Sequence, residues 1–110
     1  MTDYRQAWRM RLRGGSEAAY DRAHAQVWPE LIAEMRAAGV ETFAIYRYGP
    51  EVFAFQQRKT PFPGVDIEPT QTMLRWWRMM EPLMISDNEG RPVRDMLSEV
   101  FVLDRERTHR

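Results

Sequence analysis

The spacing of apolar residues changes several times along the chain, and the order of these changes constrains the fold more than any other feature. Strand patterns cover residues 4–13, 41–48, 52–57 and 98–103, whereas the three-to-four spacing of helices covers residues 16–38 and 70–80. The resulting order is strand, helix, strand, strand, helix, strand. This order predicts an α+β fold of the ferredoxin-like split βαβ type, with both helices on one face of an antiparallel sheet.

Glycine and proline mark the breaks between these segments. Gly14 and Gly15 end the first strand, and the turn at 49–51 joins the second and third strands as a hairpin. Three prolines and a glycine between residues 58 and 70 predict a loop, and residues 92–97 are expected to form a connection with one helical turn. We predict one domain over residues 1–104, followed by a charged, disordered tail at 105–110 that contains His109.

Composition argues against several classes of function. The 16 basic and 16 acidic side chains give no net charge, so the charge indicates neither a nucleic acid nor an anionic membrane as a partner. No apolar run is long enough to span a bilayer, and the N-terminus lacks the apolar core of a signal peptide. The two histidines are far apart and there is no cysteine, so no metal site is expected. The absence of cysteine also fits a reducing compartment, and we expect a cytoplasmic protein.

The first helical segment contains the histidine that is the best candidate for chemistry. At helical spacing Tyr20, His24 and Trp28 share one face, so the imidazole points inward with the aromatic rings. Pro29 is expected to kink or end the helix near Trp28, which leaves His24 in or near a last turn, where carbonyl groups favour the protonated ring. The residue is then either a core histidine satisfied by a hydrogen bond or a general acid facing a small polar substrate.

The second helical segment carries a pair of tryptophans. Thr70 is expected to cap this helix, and its inward face holds Met73, Trp76, Trp77 and Met80. Adjacent residues of a helix point about 100° apart, so the two tryptophans have different surroundings. We expect one of them to pack in the core while the other lines a cavity.

The face of the sheet away from the helices also needs a cover. Apolar residues alternate at Phe53 and Phe55 and again at Val100 and Val102, which puts apolar side chains on that second face. A second copy of the chain, packed sheet against sheet, would bury them, and this predicts a homodimer.

Several short motifs together closely resemble the L-rhamnose mutarotase family. They are Tyr-x-x-x-His from Tyr20 to His24, Trp-Pro-Glu-Leu at 28–31, Ala-Ile-Tyr at 44–46, Arg-Trp-Trp at 75–77 and Glu-Val-Phe at 99–101, and the match covers roughly residues 8–104. The resemblance implies a small dimeric α/β barrel enzyme, an isomerase that interconverts the α and β anomers of L-rhamnose without a cofactor. It further implies that His24 is the proton donor and that Tyr20, Trp76 and Trp77 bind the sugar.

Two departures from the family pattern affect the expected substrate. Phe43 stands where the family usually has a sugar-binding tyrosine, so one hydroxyl contact is lost at this substrate-binding position. The expected sugar is therefore L-rhamnose or a related 6-deoxy or L-sugar. The proline-rich loop at 58–70 replaces a more regular and slightly longer stretch, which changes the expected rim of the pocket.

Anomer exchange requires a proton at the ring oxygen and the loss of a proton from the anomeric hydroxyl. His24 is the predicted donor, with water, Tyr20 or a carboxylate as its counterpart, and Glu99 qualifies as the base only if its strand reaches the pocket. Two other functions stay open: a non-catalytic sugar-binding module, and a haem-binding or cofactor-free oxygenase of the dimeric α/β barrel type. Only analogy at the level of the fold supports the oxygenase.

Overall fold

A computed structural model describes residues 4–64, 68–103 and 108–109 of the chain. Its longer elements are the strands β1 (Tyr4–Arg11), β2 (Val40–Tyr48) and β3 (Glu51–Arg58) and the helices α1 (Glu17–His24), α2 (Pro29–Ala37) and α3 (Gln71–Met80). Shorter elements are a 3-10 turn (Glu81–Leu83) and the strands β4 (Asp95–Met96), β5 (Val102–Leu103) and β6 (Thr108–His109). None of the helices in the described ranges has the length and apolar character needed to cross a bilayer.

Four strands form one antiparallel sheet in the order β2-β3-β1-β4. The first and second strands run in the same direction with the third between them, which is the arrangement that a split βαβ order produces. Gly49, at φ +56°, closes the β2–β3 hairpin in the left-handed region that favours glycine. The structure thus confirms the predicted α+β, ferredoxin-like fold.

Strand register places alternate side chains on two different faces of this sheet. Trp8 pairs with Ala54, and Ala54 pairs with Ile45, so these three side chains share the face that the helices cover. The core on this face consists of buried residues from strands, helices and connections: Leu12, Tyr20, Leu31, Val52, Trp76, Met80 and Met84. Arg5, Arg9 and Arg11 point to the opposite face, so that side of β1 is basic.

The first helical segment forms two helices rather than one that continues to residue 38. α1 ends at His24, and α2 begins at Pro29, so the proline starts a helix instead of only kinking one. The cause lies in Trp28, because a residue before proline is excluded from the helical region; its ψ of 132° is extended. The prediction that His24 would lie in a last turn is confirmed.

The second predicted helix matches α3 closely. The Thr70 hydroxyl oxygen accepts a hydrogen bond from the Met73 amide at 3.1 Å, as expected of an N-cap. Trp76 and Met80 are buried, and Trp77 is half-buried beside them. The loop prediction for 58–70 is confirmed at residues 60–64 and 68–70, while residues 65–67 lie outside the described ranges.

The C-terminal quarter differs from the sequence prediction. The fourth strand of the sheet is Asp95–Met96, inside the segment for which a helical turn was expected, and residues 98–101 are irregular. Pairing with β1 stabilises a strand at Asp95–Met96 instead of a helical turn, because Asp95 lies opposite Arg9 and forms an ion pair with it. β5 pairs instead with β6, which lies in the segment predicted as a disordered tail. The domain limits themselves stay a prediction, since residues 1–3, 104–107 and 110 are outside the described ranges.

Candidate active site

Four aromatic rings meet at one place on the helix-covered side of the sheet, two from α1, one from α3 and one from Trp28, which directly precedes α2. The Tyr20 and His24 ring centroids are 4.1 Å apart, and the His24 ring meets Trp76 edge-on at 5.4 Å. Trp76 in turn meets Trp28 edge-on at 5.1 Å. The helical spacing of Tyr20 and His24 makes the first contact local, whereas α3 brings Trp76 to them from the other half of the chain. We call these four residues the aromatic cluster.

The hydrogen bond of the His24 ring assigns its proton. Nδ1 lies 3.0 Å from the carbonyl oxygen of Tyr20, and a carbonyl only accepts, so Nδ1 donates. In the neutral ring Nε2 then carries the lone pair, and in the protonated ring it carries the second proton. Nδ1 is engaged by the Tyr20 carbonyl and His24 is only half-buried. Its Nε2 is therefore the nitrogen through which this residue can exchange a proton with a substrate.

The Tyr20 hydroxyl stays protonated near neutral pH. Burial, with a smaller contribution from the charge of Asp21, raises the pKa of Tyr20 to about 12, because the phenolate would lose its hydration. Only 4% of the residue is exposed. Tyr20 can therefore donate a hydrogen bond to a substrate oxygen, and it is a poor general base.

Asp21, next to Tyr20 on α1, is held as a carboxylate. Hydrogen bonding from Arg47, assisted by the charges of Arg47 and His24, lowers the pKa of Asp21 from its usual value. The Asp21–Arg47 contact joins α1 to β2 and thus links the helix of the aromatic cluster to the sheet.

Phe43 and Trp77, the two other predicted substrate-binding residues, lie outside the ring contacts of His24. Phe43 projects from β2 on the helix-covered face, where its ring is 6.0 Å from Trp8 and the residue is 39% exposed. Trp77 packs against the edge of the core and carries the guanidinium of Arg91 over its ring at 5.6 Å. The structure therefore unites Tyr20, His24 and Trp76 and sets these two residues apart.

Sequence reasoning missed two features of this region. Trp28 was recognised as inward-facing but was not assigned to the site, although it contacts Trp76 and carries Arg75 over its ring at 5.2 Å. Gln56 is buried opposite Phe43 on the sheet, and its side-chain oxygen accepts a bond from Arg58 at 3.2 Å. The pattern of apolar residues in β3 did not predict that this polar position is buried, because glutamine is usually exposed.

An open depression on the surface lies elsewhere. It has a volume of about 520 Å³ and is lined by residues from the start of β1, the proline-rich loop and the C-terminal segment: Tyr4, Arg5, Gln6, Phe62 and Glu99. Glu99 is bound there by Arg5 at 3.0 Å, so its carboxylate is not a partner of His24. The aromatic cluster, which holds the proton-transfer group, is the better candidate for a catalytic site. Within the described ranges, no three potential metal-ligating His, Asp or Glu side chains come together.

Comparison with known proteins gives one consistent result. The family model for L-rhamnose mutarotase matches residues 5–103. The L-rhamnose mutarotase of Burkholderia orbicola is 36% identical over 100 residues, covering 89% of this chain and 96% of that protein, and that of Bacteroides thetaiotaomicron is 35% identical over 102 residues, covering 91% and 98%. The crystal structure of an L-rhamnose mutarotase from Formosa agariphila superimposes with a TM-score of 0.78 at 30% identity, covering 92% of this chain and 99% of that one.

Proposed function

Because this chain belongs to the L-rhamnose mutarotase family, we propose that it is an isomerase that interconverts the α and β anomers of L-rhamnose or a related 6-deoxy or L-sugar. The main observation in support is the His24 ring, which is held through Nδ1 and packed between Tyr20 and Trp76. That arrangement leaves Nε2 as the nitrogen for proton transfer.

The reaction needs two proton transfers and no net oxidation. Protonated His24 gives the proton on Nε2 to the ring oxygen while water takes the proton of the anomeric hydroxyl, and the bond between the anomeric carbon and the ring oxygen breaks. The open-chain aldehyde rotates about its terminal carbon–carbon bond. The former ring oxygen then attacks the other carbonyl face and returns its proton to Nε2, while the new anomeric hydroxyl gains one from water. A positioned acid/base group typically contributes about 10² to 10⁴ in rate.

The remaining predicted site residues have binding roles in this proposal. The neutral Tyr20 hydroxyl donates to a sugar oxygen, and Trp76 packs on C–H groups of the sugar beside His24. Trp77, which lies outside the aromatic cluster, contacts a more distant part of the sugar such as the 6-methyl group. Phe43 contributes an apolar surface without a hydroxyl, so we propose that it influences which sugar is preferred.

We also propose that the enzyme is a cytoplasmic homodimer. The sheet face opposite the helices leaves Tyr46 69% exposed and Phe53 36% exposed, and the C-terminal segment leaves Val100 and Phe101 82% and 62% exposed. Apolar surface of this extent is typical of an interface. A second copy packed on the sheet face would cover Tyr46 and Phe53 with a single symmetric contact.

NMR exchange spectroscopy on equilibrated L-rhamnose tests the activity. We expect the wild-type protein to accelerate α-to-β exchange and His24→Ala to lose about 10² to 10⁴ of that acceleration. His109→Ala is the matched control, because it removes the other histidine of the chain and should retain the activity. Ranking the exchange rates of L-rhamnose, L-fucose and L-lyxose measures the sugar preference of a site that has Phe43 in place of the usual tyrosine.

Failure of the wild type to accelerate exchange of any of these sugars would contradict the proposal. Quenching of tryptophan fluorescence by sugar in that case would point to the non-catalytic binding module. Oxygen uptake or a bound chromophore would point to the oxygenase.

A further inference from the structure

α1 carries two residues of the proposed site, Tyr20 and His24, although it is only eight residues long. A helix of two turns has little stability of its own and must be held by tertiary contacts. The side chain of Ser16 at its N-cap makes no capping bond. Tyr20 and Ala23 pack against the core from one side of the helix, and a second attachment on another side restricts the rotation of α1 about those contacts.

Arg47 provides this second attachment through a bidentate contact with Asp21. Nε of Arg47 donates to one carboxylate oxygen at 2.9 Å and Nη2 donates to the other at 2.6 Å. A fork of two parallel bonds fixes direction as well as distance, which a single ion contact does not. Asp21 follows Tyr20 and precedes His24 by three residues, so the fork acts within one turn of the histidine.

The other end of the Arg47 side chain is also fixed. Arg47 lies opposite Val52 in the β2–β3 pair, on the face that the helices cover, and its Nη1 donates to the Gly49 carbonyl in the hairpin turn at 3.0 Å. All three types of guanidinium nitrogen are therefore engaged, and the side chain is only 28% exposed. The contact therefore connects α1 to the β2–β3 hairpin.

The His24 ring depends on this connection, because its own hydrogen bond is internal to α1. The bond from Nδ1 to the Tyr20 carbonyl orients the ring relative to the helix, but it does not place the helix relative to Trp76 on α3. We infer that Arg47 and Asp21 are positioning residues that set the place of the His24 imidazole in the site, an inference that rests on the proposed mutarotase function.

The test compares Arg47→Met, Arg47→Lys, Asp21→Asn and the double variant Asp21→Asn/Arg47→Met with wild type. Lys59→Met is the matched control, since it removes one positive charge at the far end of the same hairpin, where Lys59 faces Glu41 at 3.8 Å. Two quantities are measured at a temperature at which circular dichroism shows every variant to be folded. They are kcat and KM for exchange of L-rhamnose, and the ¹⁵N spectrum of the His24 ring, assigned with His24→Ala.

We expect Arg47→Met to lower kcat about 10- to 100-fold with a smaller change in KM, because displacement of a reacting group by about 1 Å has effects of this size. Arg47→Lys, which keeps the charge without the fork, should recover part of the loss. The double variant should lose no more than Arg47→Met, since the two residues act as one unit. The ¹⁵N spectrum should show the Nδ1–H form in both wild type and Arg47→Met, because that bond is internal to α1, and the Nε2 shift should change in Arg47→Met because the ring moves relative to Trp76.

Equal kcat values and equal His24 spectra in Arg47→Met and Lys59→Met would overturn the inference. Additive losses in the double variant would overturn it as well. If wild type does not accelerate exchange but the His24 spectrum changes only in the Arg47 and Asp21 variants, the positioning role stands while the proposed function fails. If wild type accelerates exchange normally and Arg47→Met has no effect on it, the proposed function stands while the positioning role fails.

Discussion

The two faces of the sheet are made from the same strands but have opposite surroundings. Val52 and Phe53 are neighbours on β3, yet Val52 is fully buried under the helices and Phe53 is 36% exposed on the other face. The helix-covered face forms the core and supports the aromatic cluster. The open face presents aromatic residues with no helix over them within the described ranges. The comparison shows that one face is completed by the chain itself and that the other is suited to a second molecule.

Charge on the open face supports this distinction. Arg5, Arg9 and Arg11 form a row along β1 that looks basic in the sequence, but each pairs with an acidic residue of the same chain: Glu99, Asp95 and Glu51, respectively. The row therefore presents no excess of positive charge to a partner. What is left for association is its aromatic and apolar surface, which fits a second copy better than an anionic ligand.

The largest contrast is expected from an aspartate placed on each face of β3. Val52→Asp should prevent folding, because the carboxylate would be buried in an apolar core without a partner. Phe53→Asp should leave the fold intact and separate the proposed dimer, since like charges would meet across a symmetric contact. Circular dichroism measures the first effect, and sedimentation velocity measures the second.

Phe53→Tyr is the control for the second variant, because it keeps the ring and adds no charge. A Phe53→Asp protein that sediments like wild type over a wide concentration range would show that the open face is not the interface. A folded Val52→Asp protein would show that the helices do not seal the other face.

The next largest contrast is between the adjacent tryptophans of α3. Trp76 is buried at 7% exposure, so Trp76→Ala should lower the free energy of unfolding by about 3–5 kcal/mol. Trp77 is half-buried at the edge of the core, and Trp77→Ala should cost less than half of that. Urea denaturation of both variants measures the difference. Equal losses would mean that Trp77 belongs to the core as much as Trp76 does.

Local patterns predicted the elements whose cause is local. The Thr70 cap, the hairpin at Gly49 and the end of α1 near Pro29 each follow from a residue and its immediate neighbours. The Asp95–Met96 strand was missed because its partner, β1, lies more than 80 residues away in the sequence. Apolar alternation favoured the later segment at 98–103, although nothing in that pattern says which residues meet β1.

The contacts of the candidate site also divide into those that local spacing predicts and those that depend on how distant elements pack. Tyr20 and His24 could be paired from their four-residue spacing, which is a property of one helix. The contacts of Trp76 with His24 and Trp28 depend on how α3 packs on α1 and α2, and spacing cannot give that. The Asp21–Arg47 contact joins residues 26 positions apart, and neither residue is unusual for its own element.

An effect of intermediate size on the free energy of unfolding is expected when the pH is raised. The pKa of Tyr20 is about 12 in the folded protein and near 10 in the unfolded chain, so folding favours the neutral phenol. The stabilisation is complete below about pH 10 and is lost between pH 10 and 12, where only the unfolded chain releases this proton; the two-unit shift corresponds to about 2–3 kcal/mol. Urea denaturation from pH 8 to 12 should show this loss in wild type.

Tyr20→Phe separates this effect from the titration of other groups. The variant has no hydroxyl to ionise at this position, so its stability should fall less steeply between pH 10 and 12 than that of wild type. Identical pH profiles for the two proteins would show that the Tyr20 hydroxyl is hydrated in the folded state, and the helix-covered face would then be more open than the structure indicates.

The smallest effect is expected on the open face, where Arg9 and Asp95 form an ion pair at 3.0 Å with side chains 49% and 59% exposed. Exposed pairs contribute about 0–1 kcal/mol because water and salt screen them, so Arg9→Met should change the free energy of unfolding by less than about 1 kcal/mol. Urea denaturation at low protein concentration, in 50 mM and 1 M salt, measures this contribution apart from association. A loss well above that range would mean that the pair fixes the register of the short β4 strand against β1. The open face would then contribute to the stability of the single chain and not only to its assembly.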